Sequence, residues 1–158
     1  MMGLDATVYC NCFETGALRE PPPRPDLIYV APDGSLGCRS ENSDTLRDFD
    51  EWLLLRACEY ENGILLRHRI CNLTDVGLLR GELKREAEKF SFLLGRVIFI
   101  HAGGYISVDE VRRLQGELRH LAGFVCSDEA NQGSVEWFRR RMQELAEAAL
   151  HVGKPISF

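Results

Sequence analysis

The chain has 158 residues, 45% of them hydrophobic and 27% charged, the balance of one folded globular domain and not of a disordered, collagen-like or fibrous chain. No apolar run approaches the ~18–20 residues that span a bilayer. A net charge of −5 and a pI of about 5.4 argue against a general nucleic-acid binder, which needs a basic face to displace counterions from phosphates.

Leu4 to Phe13 alternates, with Leu4, Ala6, Val8, Cys10 and Cys12 on one face and Asp5, Thr7, Tyr9 and Asn11 on the other, and reads as a half-buried strand. Glu20 to Pro25, EPPPRP, is a stiff loop, because proline has no amide N–H to give a helix or central strand. Leu27–Val30 reads as a second short strand, closed by the Pro32-Asp33-Gly34 turn. Ser43 reads as the N-cap of a first helix running to Tyr60, with Leu46, Phe49, Leu53, Ala57 and Tyr60 as its apolar stripe and Asn62-Gly63 as its stop.

Ile64–Ile70 alternates again and predicts a strand. Asn72 or Thr74 caps a second helix, with Val76, Leu79, Leu83, Ala87 and Phe90 on one stripe. Arg96–Ile100 predicts an apolar strand between Gly95 and Gly103-Gly104. Ser107-Val108-Asp109-Glu110 is a capping box and opens a third helix, with Val111, Leu114, Leu118 and Leu121 inward and Gly123 as its end. Ser134 caps a fourth helix, where Val135, Phe138, Met142, Leu145 and Ala149 recur at intervals of three and four, ended by Gly153 and Pro155. Ile156–Phe158 adds a closing strand. This order predicts a single α+β domain over residues 1–158, a small sheet of about four to five strands packed against about four helices.

The opening MMGLDATVYC has no basic leader region and carries Asp5 where a signal peptide needs apolar residues, which predicts a cytoplasmic protein. The six cysteines (10, 12, 38, 58, 71 and 126) are then reduced thiols and not a disulfide frame. Cys10, Cys12, His68 and Cys71 could supply four zinc ligands, but their spacing is not that of a zinc knuckle. Cys10 and Cys12 also lie on the apolar face of their strand, where a thiol behaves as a small hydrophobe. No cofactor is therefore expected. His101, between an apolar strand and a Gly-Gly turn, suits acid–base chemistry. Cys126 paired with His68, His101 or His120 would make a nucleophile pair only if its thiol pKa were depressed. No nucleophile elbow, phosphate loop, dinucleotide fingerprint or zinc-protease helix accompanies either.

Residues 41–61 hold Glu41, Asp44, Asp48, Asp50, Glu51, Glu59 and Glu61 against Arg47 and Arg56, so this stretch alone carries a charge of −5, equal to the whole net charge. On a helical projection Asp44, Asp48, Glu51, Trp52, Leu55 and Glu59 fall away from the Leu46–Phe49–Leu53 stripe. Carboxylates around a Trp and a Leu suit a protein-binding patch, with apolar anchors for affinity and charges for steering. The competing reading buries the helix on both sides, with Trp52 under the EPPPRP loop.

The start Met2-Gly3-Leu4-Asp5-Ala6-Thr7-Val8-Tyr9-Cys10-Asn11-Cys12, the proline loop and the end Gly153-Lys154-Pro155-Ile156-Ser157-Phe158 resemble a group of uncharacterised bacterial cytosolic proteins, a resemblance that implies no activity. In size, acidity and missing catalytic motifs the chain is also similar, by type and not by motif, to the immunity proteins of bacterial toxin systems. That likeness implies a non-enzymatic domain that binds and blocks a cognate toxin, often a basic nuclease; the charge of residues 41–61 points to the acidic first helix as the surface, and charge and hydropathy leave nucleic acid and membrane out of the expected partners. The alternative is a small enzyme or zinc-binding protein built on His101 or on Cys10, Cys12, His68 and Cys71. A homodimer formed through the same acidic patch is a third reading.

Overall fold

A computed structural model describes residues 3–98 and 103–158 and has the α+β architecture that the sequence predicts. In chain order the elements are β1 (Gly3–Tyr9), α1 (Cys12–Thr15), β2 (Ile28–Val30), β3 (Leu36–Cys38), α2 (Ser43–Leu55), β4 (Ile64–Asn72), α3 (Leu73–Leu83), β5 (Tyr105–Ile106), α4 (Val108–Ala122), α5 (Gln132–Val152) and β6 (Ile156–Ser157). An antiparallel sheet has the order β4-β1-β6-β5, and β2-β3 is a separate hairpin. Strand β1 pairs with β4 along its whole length, from Gly3 opposite Asn72 to Tyr9 opposite Ile64. No helix among the described residues is long and apolar enough to cross a membrane.

The main core lies between the sheet and the helices. Ala6 and Val8 of β1 are fully buried, as are Met142, Leu145 and Ala149 of α5 and Leu114 of α4. Helix α4 starts at the expected capping box, in which Ser107 Oγ accepts from Glu110 N at 3.3 Å and Glu110 Oε1 accepts from Ser107 N at 3.1 Å. Helix α3 has the same device on Asn72 and Asp75. Gly153 closes α5 in the left-handed conformation (φ 66°), which glycine adopts without a Cβ clash.

A second, smaller core holds α2 and the hairpin. Phe49, Trp52 and Ala57 are buried there, packed with Leu18, Ile28, Leu36, Cys38 and Leu53. Trp52 is 1% exposed. Its ring lies 5.9 Å from that of Phe49, and its Nε1 donates to the Glu20 carbonyl at 3.0 Å. The indole is therefore beneath the proline loop and is no surface anchor. The buried face of α2 centres on Phe49 and Trp52, three residues apart and hence on one side, whereas Leu46 and Leu53 are only half-buried. Helix α2 also ends at Leu55, not Tyr60, because the backbone leaves helical geometry at Arg56 (φ −129°). Glu59 consequently sits in the turn beyond the helix.

Three further expectations are corrected. The first strand stops at Tyr9, and Cys12 begins a short helix. Helix α5 begins at Gln132, two residues before Ser134. The strand expected over Arg96–Ile100 is absent as far as residue 98: Leu93–Val97 form a π-helical turn, and Phe99 to Ala102, with His101, lie outside the described residues. A short apolar run fits helix and strand alike. Here Glu117 decides, since its carboxylate accepts from Phe92 N and Leu93 N, each at 2.9 Å, and so caps the turn.

Glu82 does similar work elsewhere. It is 3% exposed, and its carboxylate accepts from Ser127 N, Ser127 Oγ, Asp128 N and Asn131 Nδ2 at 2.8–3.3 Å, with Arg85 Nη1 at 3.2 Å. These donors, led by Asn131 and Ser127, hold its pKa down to about 2 from the usual 4.5.

Two expectations follow. Trp52→Ala opens a cavity in the second core and should cost about 3–5 kcal/mol, read from denaturant melts. Because the Glu82 pKa is lowered on folding, its contribution is complete above about 4.5 and is lost as pH falls towards about 2. Glu82→Gln should therefore be less stable near neutral pH, and the gap to wild type should narrow on acidification through that window. Thermal melts at several pH values check it; a gap independent of pH would show that the ionised carboxylate is not what holds the loop.

Candidate functional site

Three thiols meet where β1 ends. Cys10 follows β1, and its backbone N–H donates to the Gly63 carbonyl at 2.8 Å. Cys12 is the first residue of α1, and Cys58 lies in the turn after α2. Their three Sγ atoms are all within 4.8 Å of one another, with Cys10 and Cys58 at 3.8 Å. Cys58 Sγ also donates to the Tyr60 carbonyl at 3.6 Å. Cys12 and Cys58 are buried, and Cys10 is half-buried. Leu18, Leu36, Leu53 and Ala57 are among the apolar residues around a void of about 10 Å³ beside the sulfurs, the room of one small occupant.

Burial disfavours the thiolate and pushes the Cys12 pKa up to about 12, with the neighbouring Cys10 and Cys58 adding to the effect. Desolvation also raises Cys10. Cys10 and Cys12 are therefore protonated thiols of low intrinsic reactivity near neutral pH.

The expected quartet of Cys10, Cys12, His68 and Cys71 does not assemble. The antiparallel register sets Cys71 opposite Leu4 and Ile64 opposite Tyr9, so Cys71 lies at the other end of β1, about 20 Å from Cys10 at the usual rise per strand residue. His68 is engaged with α5, its Nε2 2.6 Å from Glu144 Oε2 and its Nδ1 2.9 Å from Arg141 Nη1. Cys126 is buried with its pKa raised, first by desolvation and then by Glu82, the opposite of what a nucleophile needs. Cys58 is the ligand-type residue that spacing rules miss. The signal that reaches it is the pairing of β1 with β4, which folds residue 63, and the turn before it, back onto residue 10.

The acidic face is the second region of interest. Asp44, Asp48, Glu51 and Leu55 are exposed along α2, Glu59 is exposed in the following turn, and Trp52 is absent from the surface. Leu55 is 71% and Leu54 38% exposed. Arg47 lies 3.3 Å from Asp44 and 4.0 Å from Asp48, pairs too exposed to matter much for stability. Asp48 also borders a groove of about 210 Å³ between α2 and the proline loop, lined in addition by Pro23, Arg24, Ile28, Cys38, Thr45 and Phe49. Trp137 is exposed on α5 under the Arg141 guanidinium, 4.2 Å from its ring centre, remote in sequence from the acidic stretch. The chain matches no family model, no curated protein and no solved structure.

The raised pKa values predict slow alkylation. In native protein near pH 8, Cys12 should react with iodoacetamide at least about tenfold more slowly than an unperturbed thiol of pKa ~8.5, and Cys10 should also be slowed. Unfolding should bring all six cysteines to a common rate, followed residue by residue by mass spectrometry.

Proposed function

We propose that the chain is a non-enzymatic protein-binding domain whose α2 face receives a basic surface of a partner protein. The observation that carries this reading is the groove beside Asp48, whose lining joins Phe49 and Ile28 to the Asp48 carboxylate and to Arg24, a cation already paired with Asp26 at 3.4 Å. A lysine or arginine side chain suits that combination, its aliphatic stem over Phe49 and Ile28 and its charge towards Asp48. Asp44, Glu51 and Glu59 add negative potential around it, and such fields chiefly raise the rate of encounter with a basic partner. Leu55 and Leu54 supply uncovered apolar surface at the end of the same helix. An immunity-type role, occluding a basic toxin, is the form of this reading that the acidic stretch favours.

Trp52→Ala is no test of the interface, because the indole belongs to the second core. Reversal of exposed carboxylates is. Capture of a partner from host lysate at low salt should be lost at high salt, as expected for exposed charges screened within about 8–10 Å, and should weaken at least about tenfold in an Asp48→Lys, Glu51→Lys double variant. Capture indifferent to both changes would remove α2 from the interface. Sedimentation at several concentrations separates a homodimer from a heterologous complex.

A further inference from the structure

We propose that Cys10, Cys12 and Cys58 form a binding site for one thiophilic d10 metal ion, Zn(II) or Cu(I), held by three sulfurs. This inference stands apart from the partner-binding reading and rests on different residues.

Convergence is the first observation. The ligands come from the end of β1, the start of α1 and the turn after α2, and Cys58 is 48 residues from Cys10. The remaining cysteines join no such group among the described residues. Geometry is the second. Metal–sulfur bonds of about 2.3 Å place ligand sulfurs about 3.8 Å apart in a tetrahedron and about 4.0 Å apart in a trigonal plane. Cys10 and Cys58 already stand at 3.8 Å, and every pair is within 4.8 Å, so each pair is within about 1 Å of metal-bound spacing. The donor atoms are the third. No His, Asp or Glu joins this cluster among the described residues, so the donors are all sulfur. Thiolate sulfur selects Cu(I) and Zn(II) and leaves Mg(II) and Ca(II), which want oxygen, unbound.

Packing alone does not account for the arrangement. A thiol in a core is a small hydrophobe, and Cys71 and Cys126 fit that description, each buried and in no group of three ligand-type residues among the described residues. Cys10 is only half-buried yet faces a second sulfur. Binding makes one metal–sulfur bond for each S–H bond broken, and the displaced protons leave to solvent. The oxidation states of sulfur and metal do not change. Three sulfurs complete a trigonal Cu(I) site, whereas Zn(II) takes a water as its fourth ligand.

Reduced full-length protein, handled without oxygen, is titrated separately with Zn(II) and Cu(I) against chromophoric chelators. One equivalent of at least one ion should bind. Cys10→Ser, Cys12→Ser and Cys58→Ser should each weaken binding at least about tenfold, with Cys38→Ser, Cys71→Ser and Cys126→Ser unchanged. Where a serine variant fails to fold, wild type still decides: bound metal should shield cysteines 10, 12 and 58, and only these, from alkylation. Co(II) in the same site should give sulfur-to-metal charge-transfer absorption in the near ultraviolet. Binding of one ion but not the other identifies the occupant. Less than about 0.1 equivalent of either ion, binding insensitive to Cys58→Ser, or a Cys10–Cys58 disulfide with no metal affinity after reduction, would overturn the assignment.

Discussion

The rest of the molecule hangs on strand β1. It is hydrogen-bonded on both sides, to β4 along its length and to β6 at Thr7 opposite Ser157, and α5 packs against it and β4. Side chains at alternate positions of a strand point to opposite faces, yet Ala6, Thr7 and Val8 are consecutive and all buried. Both faces of β1 are therefore covered, and its register is strongly specified, because a slip of one residue would exchange the two faces. The position of everything attached to its ends follows. Cys10 and Cys12 leave its carboxyl end, and the backbone bond from Cys10 N to Gly63 O pins the chain before β4 to the same place.

The α2 lobe is a separate core tied to this sheet at few points. Lys154, 5% exposed at the end of α5, donates to Glu14 Oε1 and to the Gly34 carbonyl, each at 2.9 Å. Asp33 accepts from Ser157 Oγ at 3.1 Å while also holding Ser35 of its own turn. Gly34 has φ 92°, a conformation that favours glycine, and a Cβ there would also stand in tight contact with Pro155, at 3.1 Å. The thiol cluster is another tie, joining the turn after α2 to the end of β1. An ion bound there would link the acidic helix to the sheet by bonds stronger than any of these contacts, and would stabilise the folded state by mass action.

What the sequence discloses is local. The capping box at Ser107 is legible because its donors and acceptors lie within one turn of each other, and for the same reason Asn72 is one of the two caps, with Thr74, that the sequence offers for α3. The stripes of α4 and α5 are legible because both helices present one strongly apolar side. Legibility fails where a distant group decides. Glu117 turns the 93–97 run into a π-helical turn from 24 or more residues away. Leu36-Gly37-Cys38 is too short, with a glycine at its centre, to announce a strand, and it forms only because β2 lies alongside. Trp52 is misplaced on a helical projection by the choice of axis: a stripe through Leu46, Phe49 and Leu53 leaves it at the margin, and the proline loop turns that margin into core.

The same distinction separates the two regions of interest. The acidic stretch is visible in composition, and burial alters it by only one residue, Trp52, so its chemistry survives folding as exposed charge. The cysteines carry no such advance notice. Four of the six are buried, in the manner of ordinary apolar side chains, and spacing alone groups Cys10 and Cys12 with the wrong partners. Pairing β1 with β4 excludes Cys71 by carrying it to the far end of the strand and admits Cys58 by folding the α2 turn inward. Buried polar groups elsewhere in this chain answer to named partners: Glu82 to four donors of the 127–131 segment, Glu117 to two backbone amides, Lys154 to a carboxylate and a carbonyl. Cys58 gives its S–H to the Tyr60 carbonyl at 3.6 Å, and the side-chain partner of Cys10 is another sulfur, at 3.8 Å. Protonated thiols gain little from mutual contact, being weak donors and weak acceptors. An arrangement that brings three of them together, one still partly open to solvent, is better accounted for by a ligand that prefers sulfur than by the packing of the thiols themselves.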